Sequence, residues 1–211
     1  MRAVLSILLM LVIAAPNIYA GTSGNKADLK LYVERLLQEG YNIFRESGSE
    51  QEIKKKSAEF IRAHLYFDWM AKYSLGRYRK KTSEDKINKF IEVYTDFIVK
   101  AYSDLTSNYN GEKAVLRNIK EIDENLFMVS TEIIKPDSNS SIKIDYLVHK
   151  IEDKNTPYLV GDIITEGISI LNSQQSEFNS ILTNGGIDAL IADLQKRIVK
   201  GEAKADGSKP K

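Results

Sequence analysis

The first part of the chain carries apolar residues at helical spacing. Apolar side chains recur every three or four positions across residues 29–44 and again across residues 53–65. Between these segments, Ser49 is followed three residues later by Glu52, the pattern of a capping box at a helix start. The pattern predicts one helix on each side of this box.

Two more helices are expected before residue 111, a short one over 68–76 and a long one over 82–108. The long segment carries a broad, aromatic-rich apolar face, wider than a stripe that packs against a single neighbour needs. Its members are Ile87, Phe90, Ile91, Tyr94, Phe97, Ile98, Ala101, Tyr102 and Leu105. We therefore expect a cavity between this helix and the sheet.

From Gly111 onward the apolar period changes from helical to the two-residue repeat of strands. Four strands are predicted, over 113–122, 126–135, 141–151 and 157–165. The third is the clearest, because apolar and more polar positions alternate along it. Ile142, Ile144, Tyr146 and Val148 alternate with Lys143, Asp145, Leu147 and His149. The short connections predict an antiparallel meander.

Helical spacing returns after Gly167 and continues to Ile198, with a break expected at Asn184-Gly185-Gly186. Helices, then strands, then helices, without β-α-β alternation, indicate an α+β domain. The predicted fold is a curved antiparallel sheet of about four strands, covered on one face by helices.

Both ends of the chain differ from this domain. Arg2, an apolar stretch over 3–15 and Ile18-Tyr19-Ala20 predict a signal peptide over 1–20, with the mature chain starting at Gly21. The apolar stretch has 13 residues, fewer than the roughly 20 that a membrane-spanning helix requires. Residues 201–211 contain no large apolar side chain, so we expect a disordered tail after a single domain over 21–200.

Charge and composition restrict the function classes. Without residues 1–20, which contain one Arg and no acid, the 30 Lys and Arg become 29 and match the 29 Asp and Glu. This balance provides no basic field for nucleic acid. The chain has no cysteine, which excludes disulfides, thiolate catalysis and lipid modification of a cysteine. A basic segment over 77–81 is expected to be a solvated loop or a contact for an acidic group.

Catalytic and metal-binding patterns are absent from the sequence. The two histidines are His64 and His149, and neither has a second histidine or a cysteine three or four residues away. We expect a structural role for His64 at the edge of a buried helix face and a solvated position for His149. No glycine-rich phosphate loop or nucleophile elbow occurs. The prediction is a non-enzymatic protein without catalytic residues, metal or cofactor.

Four stretches together resemble one known family. They are Leu75-Gly76-Arg77-Tyr78, the helix end Ala101-Tyr102, the segment from Gly161 to Ser169, and Gly186-Ile187-Asp188-Ala189-Leu190. Their order and spacing, over about residues 28–197, resemble the toluene-tolerance or Mla-pathway family of periplasmic phospholipid-binding proteins, auxiliary components of an ABC transporter.

The resemblance implies a fold similar to nuclear transport factor 2, with a deep apolar pocket for phospholipid acyl chains. It also implies a periplasmic carrier that moves lipid between an outer-membrane lipoprotein complex and an inner-membrane ABC transporter with an MCE-family subunit. The expected result of this transfer is that the lipid asymmetry of the outer membrane is maintained. Two alternatives stay open: an isomerase or hydratase on the same cone-shaped fold, and a periplasmic adaptor or chaperone.

Candidate lipid contacts follow from this expectation. Each buried methylene contributes about 0.8 kcal/mol, so acyl chains in water must be enclosed by an apolar wall. Tyrosines can also line a pocket while their hydroxyls meet polar groups. The candidate lipid-binding residues are Leu75, Tyr78, Phe90, Tyr94, Phe97, Ile98, Tyr102, Val129, Ile142, Ile144, Tyr146, Val148, Ile163 and Ile168.

Overall fold

The structure is a computed structural model, and it describes residues 24–136, 141–153 and 156–204. Four helices come first: α1 (Gly24–Glu46), α2 (Glu50–His64), α3 (Phe67–Ser74) and α4 (Glu84–Leu105). Five strands follow, β1 (Lys113–Asp123), β2 (Leu126–Ile134), β3 (Ser141–Lys150), β4 (Tyr158–Thr165) and β5 (Ile168–Ser169), and then the helix α5 (Ile170–Lys200). Short 3₁₀ helices span Gly76–Lys81 and Thr106–Asn108. The predicted α+β class is confirmed.

The capping box forms at the start of α2. The Ser49 hydroxyl accepts a hydrogen bond from the Glu52 backbone N–H at 3.2 Å. The Glu52 carboxylate accepts from the Gly48 N–H at 2.9 Å, one residue earlier than in the standard box. These bonds satisfy backbone donors that the first helical turn leaves open. They also set where α1 ends and α2 begins.

The strands form one antiparallel meander in the order β1-β2-β3-β4-β5. Tyr146 on β3 pairs with Val129 on β2 and with Ile163 on β4, so these three side chains lie in a row across one face. The fifth strand was not predicted. It has only two residues, too few for a two-residue repeat to be recognised.

The break predicted in the last helix is confirmed at Gly186. This residue has φ 69° and ψ −169°, a conformation that glycine adopts with little steric cost. The helix therefore consists of two segments joined at a kink. The helix ends at Lys200, and the next residue, Gly201, has a left-handed φ of 67°, as is common just after a helix end.

Buried residues form two clusters. The larger one combines side chains of α3, α4 and α5 with part of the sheet. The smaller one combines Leu29, Tyr32 and Val33 of α1 with Phe127, Val129, Val148 and Tyr158 of the sheet. The helix α4 packs against α2, α3 and α5, whereas α1 contacts α2 and β1. The first helix thus covers a different part of the sheet from the long helix.

The predicted signal peptide over 1–20 lies outside the described residues. The expected tail lies partly outside them, because the description ends at Lys204. The domain bounds therefore stay predictions. Among the helices of the described segments, none has the length and apolar character that crossing a membrane requires.

Candidate functional site

An apolar cavity of about 100 Å³ lies between α1, α2 and the inner face of β2, β3 and β4. Almost all of its wall is hydrocarbon, with a few hydroxyl groups and one imidazole. Its wall consists of Tyr32, Val33, Leu36, Leu37, Phe60, Ile61, His64, Leu65, Val129, Thr131, Tyr146, Val148, Tyr158, Val160 and Ile163. A space of this character favours an apolar ligand over a solvated polar one.

Helical spacing positions the part of the wall that faces the sheet. One face of α1 presents four residues at spacings of one, three and four positions: Tyr32, Val33, Leu36 and Leu37. The residues contributed by the end of α2 follow the same pattern, over positions 60–65. Two adjacent helices thus present one continuous apolar surface to the sheet.

A β-bulge shapes the floor. On β4, Val160 pairs with Val148, but Asp162 pairs with the preceding residue Leu147, so Gly161 is an extra residue in the ladder. Val160 and Ile163 therefore both line the cavity although three positions separate them. A regular two-residue alternation would place them on opposite faces.

Two polar groups of the wall, the Tyr32 hydroxyl and the His64 imidazole, lie against each other. The Tyr32 hydroxyl donates to the Tyr158 carbonyl oxygen at 3.0 Å and lies 3.0 Å from His64 Nδ1. Burial raises the pKa of Tyr32 to about 12. Burial, together with the nearby charge of Arg35, lowers the pKa of His64 to about 4. Both side chains are therefore neutral at neutral pH.

A second hydroxyl pair lies on the floor. The hydroxyls of Tyr146 and Thr131 are hydrogen-bonded, and burial is the main reason that the pKa of Tyr146 is raised to about 12. The Thr131 hydroxyl also donates to the Ile144 carbonyl oxygen at 3.4 Å. Since these hydroxyls are partnered, they add little polarity to the cavity wall.

Four of the candidate lipid-binding residues line this cavity: Val129, Tyr146, Val148 and Ile163. Most of the others lie in the larger cluster, outside the cavity. That group comprises Leu75, Phe90, Tyr94, Phe97, Ile98, Tyr102, Ile142 and Ile144, with Tyr78 packed against its edge. Ile168 is 66% exposed on β5. Lipid contact by any of these residues stays a prediction.

The cavity lies beside α1 and α2, and not against α4 as we expected from the sequence. The broad face of α4 packs against other helices. Phe178 of α5 contacts the rings of Phe90 and Tyr94 edge-on, at centroid distances of 6.2 and 6.3 Å. The Tyr94 hydroxyl donates to Gln174 Oε1 at 2.6 Å. The width of this apolar face reflects several packing partners.

The apolar periodicity did not identify the helical half of the wall. Tyr32, Phe60 and His64 belong to α1 and α2, for which the pattern predicted helices but no part in a cavity. A recognisable signal was the placement of aromatic residues and a histidine along these apolar faces. Which of two apolar helices encloses a space depends on how closely each approaches the sheet.

The expectation of a solvated His149 is wrong. Its ring packs against Trp69 and Tyr66, at centroid distances of 4.5 and 5.5 Å, and its Nε2 is buried without a hydrogen-bond partner. Burial lowers its pKa. The bulge at Gly161 leaves room for this ring, since a Cβ there would lie 2.6 Å from His149 Nε2.

No group of three or more His, Cys, Asp or Glu side chains within the described segments could hold a metal ion. The shifted pKa values at the cavity are explained by burial among apolar side chains. The arrangement is suited to enclosing hydrocarbon, because the polar groups in the wall are few.

Comparisons with known proteins identify a family and a fold. The profile of the family described as MlaC protein matches residues 35–196. The intermembrane phospholipid transport system binding protein MlaC of Haemophilus influenzae is 28% identical over 123 residues, which are 58% of this chain and 57% of that relative. The match thus spans little more than half the length of the relative.

A solved structure has the same fold. It is the phospholipid-binding protein from Ralstonia solanacearum in complex with a phospholipid, with a TM-score of 0.65 and 17% sequence identity. The superposition covers 85% of this chain and 99% of that chain. At this identity the likeness establishes the fold alone.

Proposed function

The chain belongs to the MlaC protein family, and from that premise we propose that it binds phospholipid and carries it between two membranes. The observation that supports this most is the apolar cavity between α1, α2 and the sheet. An acyl chain placed there leaves water, at about 0.8 kcal/mol for each buried methylene. The two relatives are both named for phospholipid binding or transport.

Loading requires the cavity to widen. Its volume of about 100 Å³ is below the roughly 300–1,000 Å³ typical of ligand pockets. The wall that moves at least cost is the first half of α1, because its buried residues Leu29, Tyr32 and Val33 belong to the smaller cluster, whereas Ile43 near the end of α1 belongs to the larger one. Displacement of this first half leaves the packing of α4 and α5 intact, so the chain can accept a lipid without unfolding.

The cellular role that we propose is periplasmic. The segment over 1–20 directs export and is removed, and the mature protein moves lipid between an outer-membrane lipoprotein complex and an inner-membrane ABC transporter with an MCE-family subunit. This transfer maintains the lipid asymmetry of the outer membrane. Recovery in the periplasmic fraction with an intact mass that begins at Gly21 tests the export step.

An isomerase or hydratase would need an acid or base in the cavity that titrates near the working pH. The pKa values of the titratable groups in the wall are shifted away from neutral pH. The pKa of His64 is about 4 and that of Tyr32 about 12, so neither exchanges protons readily at neutral pH. Their mutual hydrogen bond supports a structural role.

Lipid extraction tests the proposal. The full chain is expressed with its export segment, purified without detergent, and its organic extract is analysed by mass spectrometry for phospholipid. We expect bound phospholipid in stoichiometric amount. A matched variant, Leu36→Asp, places a carboxylate on the cavity wall and should lose lipid. A wild-type protein that is folded but carries no phospholipid would favour the adaptor or chaperone alternative.

A further inference from the structure

A polar groove adjoins the apolar cavity along the same two helices. It has a volume of about 410 Å³, and its walls include Arg35, Gln38, Glu39, Asn42 and Glu46 of α1 and Lys56 of α2. The cavity is formed by neighbouring turns of these helices. The surface of α1 and α2 therefore changes from apolar to polar within a few residues.

Two contacts connect the groove to Tyr32 and His64, the hydrogen-bonded pair in the cavity wall. The Arg35 guanidinium lies over the Tyr32 ring, with Cζ 5.1 Å from the ring centroid. Glu39 Oε2 lies 4.0 Å from His64 Nε2. Tyr32 and His64 belong to the cavity wall, so a molecule that extends past these two side chains would reach the groove beside Arg35.

Some charged side chains of the groove are neutralised by ion pairs and others are not. Lys56 pairs with Glu52 at 2.8 Å, and Glu46 pairs with Arg45 at 2.7 Å. Within residues 24–136, 141–153 and 156–204, Arg35 forms no ion pair shorter than 4.0 Å. The groove therefore offers one guanidinium whose hydrogen-bond donors are available to a ligand.

We propose that this groove receives the phospholipid headgroup and that Arg35 binds its phosphate. This inference rests on the proposed function and adds the residue that recognises the polar half of the ligand. A guanidinium presents paired N–H donors that match phosphate oxygens, and phosphate is the group common to phospholipid headgroups. An amphiphile with its chain in the cavity places its phosphate at the boundary where Arg35 lies.

Glu39 limits how much negative charge the groove accepts. Its carboxylate is one helical turn from Arg35. Among the described residues its one ion-pair contact is His64, which is neutral at neutral pH. The single charge of a phosphodiester can be matched by Arg35, whereas a further negative charge would be repelled by Glu39. Removing the Glu39 charge should therefore strengthen phosphate binding, opposite to removing Arg35.

The test compares two lipids with the same palmitoyl chain. Lysophosphatidylethanolamine carries the phosphate and monopalmitoylglycerol lacks it. Dissociation constants are measured by displacement of a fluorescent fatty acid from wild type and from Arg35→Gln, Arg35→Lys and Glu39→Gln. Lys30→Gln is the matched control, because Lys30 is on α1 but pairs with Glu34 outside the groove and cavity.

Wild type should bind the phosphate-containing lipid about fivefold more tightly, the scale of an exposed charge pair. Arg35→Gln should abolish this preference and leave monopalmitoylglycerol binding unchanged, and Arg35→Lys should retain part of it. Glu39→Gln should raise the preference about twofold, again within the range of an exposed charge interaction. The preference should shrink as ionic strength rises in wild type, because salt screens exposed charges.

Three results would overturn the assignment. The first is equal binding of both lipids by wild type, and the second is an unchanged preference in Arg35→Gln. The third is displacement of lysophosphatidylethanolamine by millimolar inorganic phosphate, which would make the groove a site for free phosphate. If neither lipid displaces the probe from wild type, the proposed lipid-binding function itself fails together with this inference.

Discussion

The Tyr32 hydroxyl lies 3.0 Å from His64 Nδ1 and 3.0 Å from the Tyr158 carbonyl oxygen, so it connects α1 to α2 and to β4. A hydroxyl has one proton to donate, and here the carbonyl receives it. His64 Nδ1 therefore carries the proton of the neutral imidazole and donates to Tyr32. These two bonds hold the movable wall of the cavity against the rest of the fold.

Replacement of Tyr32 by Phe should destabilise the protein by about 1–3 kcal/mol, because the His64 Nδ1–H loses this acceptor and the buried Tyr158 carbonyl loses this donor. Denaturation with urea measures the loss. The matched control is Tyr73→Phe, which removes the exposed hydrogen bond to Asn172 Oδ1 and should cost less than about 0.5 kcal/mol. Equal effects of the two variants would show that the Tyr32 bonds do not hold α1.

Stability should fall as the pH is lowered from 6.5 towards 4. The folded pKa of His64 is about 4, below its ordinary value of 6.5, so the unfolded chain binds a proton more readily in this window. By linkage the free energy of unfolding falls by about 2–3 kcal/mol across the window. The stability that depends on a neutral His64 is fully present above pH 6.5. His149, whose pKa is also lowered by burial, acts in the same direction.

The variant His64→Asn isolates the larger contribution, since it keeps a side-chain N–H donor but does not titrate. Urea midpoints measured between pH 7 and 4.5 should vary less with pH in this variant than in wild type. A pH dependence as steep as that of wild type would mean that His64 is not the group responsible.

Filling the cavity should remove lipid without unfolding the protein. Val129 lines the cavity from β2, and in Val129→Phe the added ring can occupy existing space. We expect a loss of bound phospholipid with a change in unfolding free energy below about 1.5 kcal/mol. Extracted lipid and thermal melting are measured on the same preparation.

The matched control is Val99→Phe in the packed cluster around α4, where Val99 is buried but lines no part of the cavity. Overpacking there should cost about 1–3 kcal/mol. If Val129→Phe is as destabilising as this control and still retains lipid, the cavity is not the acyl-chain site.

Gly161→Ala should destabilise the protein by about 1–3 kcal/mol through a steric clash in a packed region. The added Cβ would lie 2.6 Å from His149 Nε2 and 3.0 Å from Trp69 Cε3. The double variant with His149→Ala removes the nearest obstacle and should recover part of the loss. Gly48→Ala, where the nearest atom is 3.8 Å away, serves as the control. Thermal melting of all four proteins tests the expectation.

Local sequence patterns determined the elements of this fold. The capping box at Ser49, the change of period after Gly111 and the glycines at the α5 kink each act over a few residues, so they are visible without knowledge of the tertiary structure. Alternation along β3 likewise identified Tyr146 and Val148, which line the cavity. What periodicity identifies is the buried face of an element.

Only the tertiary structure decided which buried face encloses a space. Phe97 and Val129 are both nearly inaccessible, at 1% and 2% exposure, yet Phe97 is packed by neighbouring helices and Val129 lines the cavity. The bulge at Gly161 and the approach of α1 to the sheet bring Val160 and Tyr32 to the same cavity. A cavity results from distances between elements distant in sequence, and the apolar periodicity of each element is the same whether the facing space is filled or empty.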